Sequence, residues 1–277
     1  VLKFSESENS SSENFVGALP DGRDVRAILA ARLRGRHDSG AGFILMEHID
    51  GVEMGVGAYF DGMKFLRPAC LDWEHKRFFA GDMGELTGEM GTVATFDRSD
   101  SFFERTLGLV EPHLRRAGHI GYVNLNTIVN EQGIWPLEFT SRFGYPGYAI
   151  LDPLQATRWG ELLGHMARGS STRFEVRSGW SVGIVLTTPP FPYSRKDVDE
   201  PVGLPVVLDP SLDEEDRRNI HMGEVGLQNG QLVTSGLYGW TVVVTGVADT
   251  IGGARDLAYS RAARISIPHV RYRLDIG

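Results

Sequence analysis

Residues 136–148 read PLEFTSRFGYPGY, and the carboxylate of Glu138 stands in the middle of a strand-like apolar run. A carboxylate in a buried strand is costly unless it is paired or bound to a metal. One interpretation is a salt bridge to Arg142 or to another buried arginine. The other is a hard-cation ligand that the strand aims into a cleft. Magnesium is typical of such sites, because it binds one or two carboxylates together with substrate phosphates.

The composition narrows the class of protein to which this carboxylate belongs. The 277 residues carry a formal net charge of -8, which argues against a general nucleic-acid binder because no basic field is available to collect phosphates. No apolar run reaches the roughly 20 residues that cross a membrane. The single cysteine, Cys70, excludes an intramolecular disulfide framework and favours a reducing, cytoplasmic location. We therefore expect small-molecule partners; the oligomeric state is left open.

The order of periodic segments predicts an α+β fold. The elements predicted from periodicity and turn residues are a strand over 1–4, a helix over 24–34 capped by Asp24, strands over 43–49, 52–60 and 63–73 with a hairpin turn at 61–62, a helix over 101–117, two strands around a turn at 130–133, and a helix over 154–166. A second module after residue 176 is rich in strands, carries a helix over 253–263 and ends in a strand, YRLDIG. The glycine-rich residues between 78 and 96 show no period.

Three further stretches carry candidate binding residues, each with an ordinary structural alternative. EHIDGVE (47–53) offers a strand edge that can bind adenine and a carboxylate, Glu53, that can hold a ribose; the alternative is a hairpin with an exposed glutamate. GDMGELTGEMG (81–91) has four glycines in eleven residues and Thr87, and its amides can cradle an anion or form a tight turn. Lys3 can contact a phosphate or be a solvated charge, and Asn126, on the strand that pairs with Glu138, can add an amide oxygen or simply be exposed.

Taken in order, these stretches resemble the phosphoribosylamine–glycine ligase (glycinamide ribonucleotide synthetase) family of the ATP-grasp superfamily. DWEHKRFFAGDMGELTGEMGTVA (72–94) resembles the family's Asp…Lys-Arg…Gly-Asp-x-Gly-Pro-Asn-Thr-Gly-Gly-Met-Gly-Ala. LEFTSRFGYPGY (137–148) is similar to its Glu-Phe-Asn-x-Arg-Phe-Gly-Asp-Pro-Glu, and EHIDGVE to its Glu-Phe-Leu-x-Gly-x-Glu hinge. VLK at the start, LVTSG (232–236), AYSRAARI (258–265) and YRLDIG (272–277) are similar to further segments of the family.

The resemblance implies an ATP-grasp domain followed by a smaller β-rich C-terminal domain. The implied boundaries are a partial small lobe over 1–47, a large lobe over 48–170 and the C-terminal domain over 176–277. Because the chain begins Val1-Leu2-Lys3 without methionine, we expect a segment to precede it; the family's N-terminal domain has no counterpart here.

The resemblance also implies an activity and roles for single residues. The family joins glycine to phosphoribosylamine with ATP and Mg²⁺, through an acyl phosphate, in purine biosynthesis. The roles carried over are ATP binding by Lys3, Glu47, Ile49 and Glu53; metal binding by Glu138, Thr140 and Asn126; and substrate binding or catalysis by Thr87, Gly88, Gly91 and Arg142.

Several positions depart from the family pattern. Thr140 stands where the family has a metal-binding asparagine, and Tyr145 and Gly147 replace an acidic pair. The serine-rich loop over 5–12 replaces a phosphate loop, and SGLYGW (235–240) stands where the family has Gly-Gly-Arg-Val. These departures keep two alternatives open: a ligase of the same fold for a different carboxylate and amine, or a nucleotide-binding homologue without turnover.

Overall fold

The computed structural model describes residues 1–4, 15–34, 42–192 and 202–277, apart from the side chains of residues 33 and 34. These residues form two compact units, Val1–Gly51 and Val52–Gly277. The serine-rich loop over 5–12 lies outside the described residues.

The first unit holds three elements: β1 (Leu2–Phe4), α1 (Arg23–Arg34) and β2 (Phe43–Leu45). β1 and β2 pair antiparallel, with Lys3 opposite Ile44. Asp24 lies inside the first turn of α1, and its carboxylate accepts hydrogen bonds from the backbone of Ala18 and Leu19. It therefore fixes the approach to the helix, whereas the sequence had predicted a cap at this residue.

An eight-stranded antiparallel sheet forms the second unit. Its strands, in spatial order, are β12 (Ile220–Met222), β15 (Trp240–Ala248), β10 (Trp180–Thr187), β7 (Gly91–Thr95), β4 (Cys70–Glu74), β3 (Val52–Phe60), β8 (Gly121–Asn130) and β9 (Gly133–Thr140). The sheet takes strands from both sides of residues 170–176. The predicted α+β class is confirmed; the predicted domain boundaries stay predictions.

Helices and short hairpins complete this unit. The remaining strands are β5 (Arg77–Phe79), β6 (Met83–Leu86), β11 (Val207–Leu208), β13 (Val225–Gln228), β14 (Gln231–Thr234) and β16 (Ile265–Ser266). The helices are α2 (Asp100–Arg105), α3 (Glu111–Ala117), α4 (Gly147–Leu151), α5 (Trp159–Arg168), α6 (Glu214–Arg218) and α7 (Ile251–Ala262), with 3₁₀ turns at Leu107–Val110 and Asp152–Leu154. No helix among the described residues is long and apolar enough to cross a membrane.

β3 separates two hydrophobic cores because its side chains alternate between the faces of the sheet. Val56 and Phe60 belong to one core, and Tyr59 belongs to the other. Gly57 lies between them without a side chain, since a Cβ there would come within 1.8 Å of the Tyr122 hydroxyl. At Gly55, a Cβ would lie 2.1 Å from a carboxylate oxygen of Asp72. The glycines of VEMGVGAYF therefore admit polar groups from the neighbouring strands.

The structure confirms the predicted strand over 52–60 and the β8–β9 hairpin, and it corrects four other predictions. The strand predicted over 63–73 forms only at Cys70–Glu74, although it does pair antiparallel with β3 as the predicted hairpin, with Phe60 bridged to Phe65 across the turn. The helix predicted over 154–166 begins at Trp159. The strand predicted over 43–49 ends at Leu45. The stretch without a period contains β5, β6 and β7.

The closing YRLDIG does not form the predicted strand, and its side chains instead form hydrogen bonds to the turn between β5 and β6. The buried Arg273 donates hydrogen bonds to Asp82 (2.8 Å), to the carbonyl of Arg77 (3.1 Å) and to Asp275. The Gly81 amide donates to Asp275 at 2.8 Å. The last residues of the chain thus hold the turn between β5 and β6, inside the glycine-rich stretch.

Candidate active site

Lys76 is the centre of a charged group that we call the Lys76 cluster: Lys76, Glu53, Glu74, Asn126 and Glu138. Its Nζ contacts a Glu53 carboxylate oxygen and lies 3.3 Å from Glu74 Oε2 and 3.8 Å from Glu138 Oε1. Burial opposes the charge on Lys76, but Glu74 and Glu53 outweigh that effect and hold its pKa above the ordinary value. Lys76 is therefore a fixed cation among three carboxylates from three strands.

Strand register places Asn126 beside both glutamates. Asn126 pairs with Glu138 across β8 and β9, and it pairs with Gly55 across β8 and β3. Its Nδ2 donates to Glu53, while its Oδ1 accepts from the Thr127 amide at 3.1 Å. The structure thus brings together three of the residues singled out in the sequence: Glu53, Asn126 and Glu138.

The sequence predicted that Glu138 is buried, and this prediction is wrong. Its side chain is about half exposed, at 49%. The reason is that β9 is the last strand of the sheet, so no strand among the described residues lies on its outer side. Trp135 and Phe139 on the same strand are likewise exposed. A carboxylate at this edge avoids the desolvation that a central strand would impose.

Two buried acids lie beside the cluster. Asp72 accepts a hydrogen bond from Asn124 Nδ2 at 2.7 Å, and burial, followed by the charge of Glu74, raises its pKa to about 7. Glu89 accepts from the Thr92 hydroxyl, and burial holds its pKa well above the ordinary value, with Glu74 as the next cause. Burial also raises the pKa of Glu74. This part of the sheet therefore gathers several acidic groups beside the ammonium group of Lys76.

A narrow cavity of about 60 Å³ adjoins these acids. Its polar wall includes Asp72, Glu74, Glu89, Asn124 and Thr140. Its other wall is aromatic and includes Tyr59, Tyr122, Phe143, Tyr148 and Trp159. Thr140 pairs with Asn124 in register, so this predicted metal ligand lies one pleat along β9 from Glu138.

The glycine-rich stretch touches the cluster through Thr87. The Thr87 amide and hydroxyl both donate to the Lys76 carbonyl, each at 2.8 Å. Gly91 is buried at the start of β7 with φ +156°, and a Cβ on it would lie 2.4 Å from the Gly183 carbonyl. Packing thus explains the glycine at 91, and its predicted contact with substrate stays a prediction.

The other predicted residues lie apart from this cluster in sequence. Lys3 is in β1, and Glu47 and Ile49 follow β2 without regular structure; all three belong to the first unit. Arg142 follows β9 and is exposed, and its Nη1 donates to the Phe143 carbonyl at 3.0 Å. The assignment of these four residues to ATP or substrate stays a prediction.

A second, larger cavity borders the glycine-rich stretch at Gly88. We call it the aromatic pocket, defined by Tyr145, Phe191, Tyr238 and Trp240 together with Gly88, Gly223 and Glu224, and its volume is about 500 Å³. Tyr145 and Phe191 lie with ring centroids 5.5 and 5.9 Å from that of Trp240. Sequence reasoning did not assign any of these aromatic residues to a site.

Sequence reasoning also missed Lys76 and the acids Asp72 and Glu74. The available signal was DWEHKR, whose aspartate, lysine and arginine match the family pattern. For the aromatic pocket the signal was weaker: Tyr145 and SGLYGW were noted only as departures from that pattern.

Comparison with known proteins agrees with this fold. Residues 22–148 match the family model of the phosphoribosylglycinamide synthetase ATP-grasp (A) domain. The phosphoribosylamine–glycine ligase of Listeria innocua is 26% identical over 252 residues, and that of Streptococcus pneumoniae is 28% identical over 250. Both alignments cover 87% of this chain and 57% of the relative. The chain thus spans a little over half the length of these curated relatives.

Solved structures show the same architecture. The phosphoribosylamine–glycine ligase of Thermotoga maritima superposes with a TM-score of 0.70 at 24% identity, over 86% of this chain and 59% of that one. The biotin carboxylase domain of the Hydrogenobacter thermophilus 2-oxoglutarate carboxylase, solved with MgADP, ADP and bicarbonate, superposes with a TM-score of 0.57 at 12% identity, over 90% and 52%. The chain is therefore similar in sequence and in fold to the phosphoribosylamine–glycine ligases, and its residues 22–148 match the phosphoribosylglycinamide synthetase ATP-grasp (A) domain.

Proposed function

We propose that this chain is the ATP-grasp part of an ADP-forming carboxylate–amine ligase. The observation that carries the proposal is the Lys76 cluster. Glu53, Asn126 and Glu138, assigned separately to ribose and metal, meet around one ammonium group. Such a group of fixed charges suits phosphoryl transfer, which depends mainly on positioning and on neutralising phosphate charge.

The proposed reaction has two steps. A carboxylate oxygen of the first substrate attacks the γ-phosphorus of ATP, which forms an acyl phosphate and releases ADP. The amine of the second substrate then attacks the acyl carbon, loses a proton and expels phosphate, which leaves an amide. The name of the relatives gives glycine and phosphoribosylamine as the substrates, and the step would belong to purine biosynthesis. Cys70, free and buried, is compatible with the cytoplasm as the place of this reaction.

The donor chemistry of the cluster fits Mg²⁺. Among the described residues no group of three or more His, Cys, Asp or Glu side chains is arranged to hold a metal. Mg²⁺ does not need one, because it binds through one or two carboxylates and keeps waters and phosphate oxygens as further ligands. Glu138 is the exposed carboxylate, and the Asn126 amide and Thr140 hydroxyl lie on the same two strands. When bound, the ion would supply charge neutralisation on the phosphates.

The roles of the protein side chains follow from their charge. Lys76 is held as a cation, and its ammonium group would bind a phosphate oxygen in competition with its carboxylate partners. Lys3 would contact a phosphate, the backbone from Glu47 to Ile49 would bind adenine and Glu53 would bind the ribose. Thr87 and Gly88 would face the substrate, with Gly91 shaping the same loop and Arg142 pairing with an anionic group.

Two other functions compete with this one. A ligase for a different carboxylate and amine is favoured by the aromatic pocket, since the two noted departures at Tyr145 and SGLYGW meet there. A nucleotide-binding homologue without turnover is favoured by Thr140, which offers magnesium a neutral oxygen in place of the family's asparagine.

Calorimetric titration of the full-length protein with a non-hydrolysable ATP analogue, with and without Mg²⁺, tests the site. We expect binding that requires Mg²⁺ and that Glu138→Ala abolishes. Glu131→Ala, in the exposed turn between β8 and β9, is the matched control and should bind as the unmodified protein does. Absence of binding with and without Mg²⁺ would refute the proposal.

Turnover separates the ligase from the binding protein. A ligase releases ADP and phosphate only when both co-substrates are present, and the first pair to assay is glycine with phosphoribosylamine. Analogue binding with no ADP release from any pair would favour the homologue without turnover. Glu53→Ala should weaken analogue binding; unchanged affinity would remove Glu53 from the ribose site.

A further inference from the structure

The aromatic pocket differs in chemistry from the Lys76 cluster. Of the described residues that line it, none carries a positive charge, and Glu224 is its only ionisable carboxylate. Both oxygens of Glu224 are engaged, because they accept hydrogen bonds from the backbone amides of Tyr238 and Gly239, the latter at 2.6 Å. Among the described lining residues, a phosphate or another anion would therefore meet a carboxylate and no cation.

Aromatic rings provide most of the binding surface. Tyr145 and Trp240 are tilted by 45° and Phe191 and Trp240 by 34°, so both rings flank Trp240 at stacking distance. Tyr145 is 38% exposed and Tyr238 is 59% exposed, although each borders the cavity. Burial, followed by the charge of Glu224, raises the pKa of Tyr145, so its phenol is neutral at physiological pH.

Trp240 adds a directional feature. Its Nε1 is buried and has no hydrogen-bond partner among the described residues. A buried donor without a partner is costly, and a ligand that carries an acceptor would remove that cost. The pocket thus combines flat apolar surfaces with donors, the indole N–H of Trp240 and the phenol hydroxyls of Tyr145 and Tyr238, which favours planar groups that carry a hydrogen-bond acceptor.

Glycines hold this pocket open and connect it to the candidate active site. A Cβ on Gly223 would lie 2.4 Å from the Tyr145 hydroxyl, and a Cβ on Gly88 would lie 3.1 Å from the Trp240 ring. Gly88 follows Thr87, which is hydrogen bonded to the backbone of Lys76. The cavity therefore lies beside the loop that the proposed function assigns to substrate.

We propose that the aromatic pocket binds a planar, uncharged aromatic or heteroaromatic group of a co-substrate, stacked on Trp240, with an acceptor facing Trp240 Nε1. This inference rests on the proposed ligase function, and it names the chemical class of one of the two molecules joined. The pocket would bind a co-substrate with a planar ring in preference to one that is recognised through a sugar phosphate.

The test uses benzamide, which is planar, uncharged and carries a carbonyl acceptor. Cyclohexanecarboxamide is the matched probe, with the same amide on a ring that is not flat. Binding is followed by the indole N–H resonances of the ¹⁵N-labelled full-length protein, and the signal of Trp240 is identified by its loss in Trp240→Phe. We expect benzamide to shift this resonance and cyclohexanecarboxamide to shift it much less at equal concentration.

Variants locate the binding site. Trp240→Leu should abolish the binding of benzamide, measured by ligand-observed NMR. Tyr238→Ala, at an exposed side chain that is safe for folding, should weaken it about two- to tenfold, the range expected for one ring contact. Trp135→Leu, at an exposed tryptophan on β9, is the matched control and should leave it unchanged. Equal shifts from both probes, or undiminished benzamide binding in Trp240→Leu and Tyr238→Ala, would overturn the inference.

The ATP-analogue titration is run in parallel so that the two failures can be distinguished. Analogue binding without a benzamide-induced shift at Trp240 would overturn this inference alone. A shift at Trp240 without analogue binding would overturn the proposed function and, with it, the assignment of the pocket to a co-substrate.

Discussion

The Lys76 cluster and the aromatic pocket both border the dipeptide Thr87-Gly88, yet the cluster consists mainly of charged side chains and the pocket mainly of aromatic ones. Thr87 is hydrogen bonded to the Lys76 backbone, and Gly88 packs against Trp240. In the cluster, one ammonium balances three carboxylates, so each charge depends on the others. In the pocket, each aromatic ring contributes its own contact to ligand binding, independently of the others. A substitution in the cluster should therefore have a large, cooperative effect, whereas one in the pocket should have a small, local effect.

The largest effect is expected for Lys76→Met. It leaves Glu53, Glu74 and Glu138 without their shared cation. Breaking a fully buried charge pair costs about 3–5 kcal/mol, and the solvent exposure of Glu53 and Glu138 places this loss at the lower end of that range. We expect a lower midpoint of urea unfolding and loss of ATP-analogue binding. Lys64→Met, in the loop between β3 and β4, is the matched control. If Lys76→Met were as stable as the control, the cluster would not be cooperative.

The next effect is expected for Arg273→Met, which lies outside both sites. Arg273 is buried and holds Asp82, Asp275 and the Arg77 carbonyl, so its loss releases the β5–β6 turn and leaves polar groups unpaired. We expect about 2–4 kcal/mol of destabilisation by urea unfolding, in line with other broken buried networks. Arg255→Met, at an exposed residue of α7, provides the comparison. A change no larger than that of Arg255→Met would show that the C-terminal residues do not anchor this turn.

A third prediction concerns pH. The pKa of Asp72 is raised to about 7 in the folded protein, so between its ordinary pKa of 3.8 and 7 the folded state binds more protons than the unfolded state. Its contribution to stability therefore falls as pH rises through that window and stays low above it. Asp72→Asn should be more stable than the unmodified protein at pH 8, with a difference that shrinks towards pH 4.

The measurement is urea unfolding of both proteins at pH 4.5, 6 and 8. Because the pKa values of Glu74 and Glu89 are also raised, only the difference in unfolding free energy between the two proteins reports on Asp72. Asp249→Asn, at an exposed turn, is the control for the substitution itself. A constant difference for Asp72→Asn would mean that Asp72 is ionised in the folded protein throughout.

The contrast between the two regions also explains what the sequence could predict. β3 and the β8–β9 hairpin were predicted because each is a local alternation of residues, and their pairing brings Glu53, Asn126 and Glu138 together. The strands β5 to β7 were not found, since glycines carry no side chain that could show a period. The burial of Glu138 was wrong because apolar neighbours on an edge strand look like those on a central strand.

The aromatic pocket was not predictable for a further reason. Its members Gly88, Tyr145, Phe191 and Trp240 come from four separate segments, and only the tertiary fold makes them neighbours. Each residue alone is an ordinary core or surface aromatic. Lys76 differs, since its match to the family pattern was visible; its partners became clear only from the pairing of β3 with β4 and β8.

The smallest effect, and the one that tests the junction itself, is expected for Gly88→Ala. The added Cβ would lie 3.1 Å from the Trp240 ring, which is a tight contact that the ring relieves by a shift of a few tenths of an ångström into the pocket. Benzamide affinity should therefore fall about two- to tenfold by NMR titration, as for one impaired ring contact, while ATP-analogue affinity stays the same.

Gly133→Ala is the control for this substitution, because a Cβ at Gly133 has open space around it. An equal loss of both affinities in Gly88→Ala would mean that this loop transmits strain to the cluster, through Thr87, which is hydrogen bonded to Lys76, or through Glu89, which lies beside the cluster. The cluster and the pocket would then be one site. A loss of benzamide affinity alone would mean that the cluster and the pocket are separate sites. That result is the one expected if the cluster binds nucleotide and the pocket binds one of the two molecules that the proposed ligase joins.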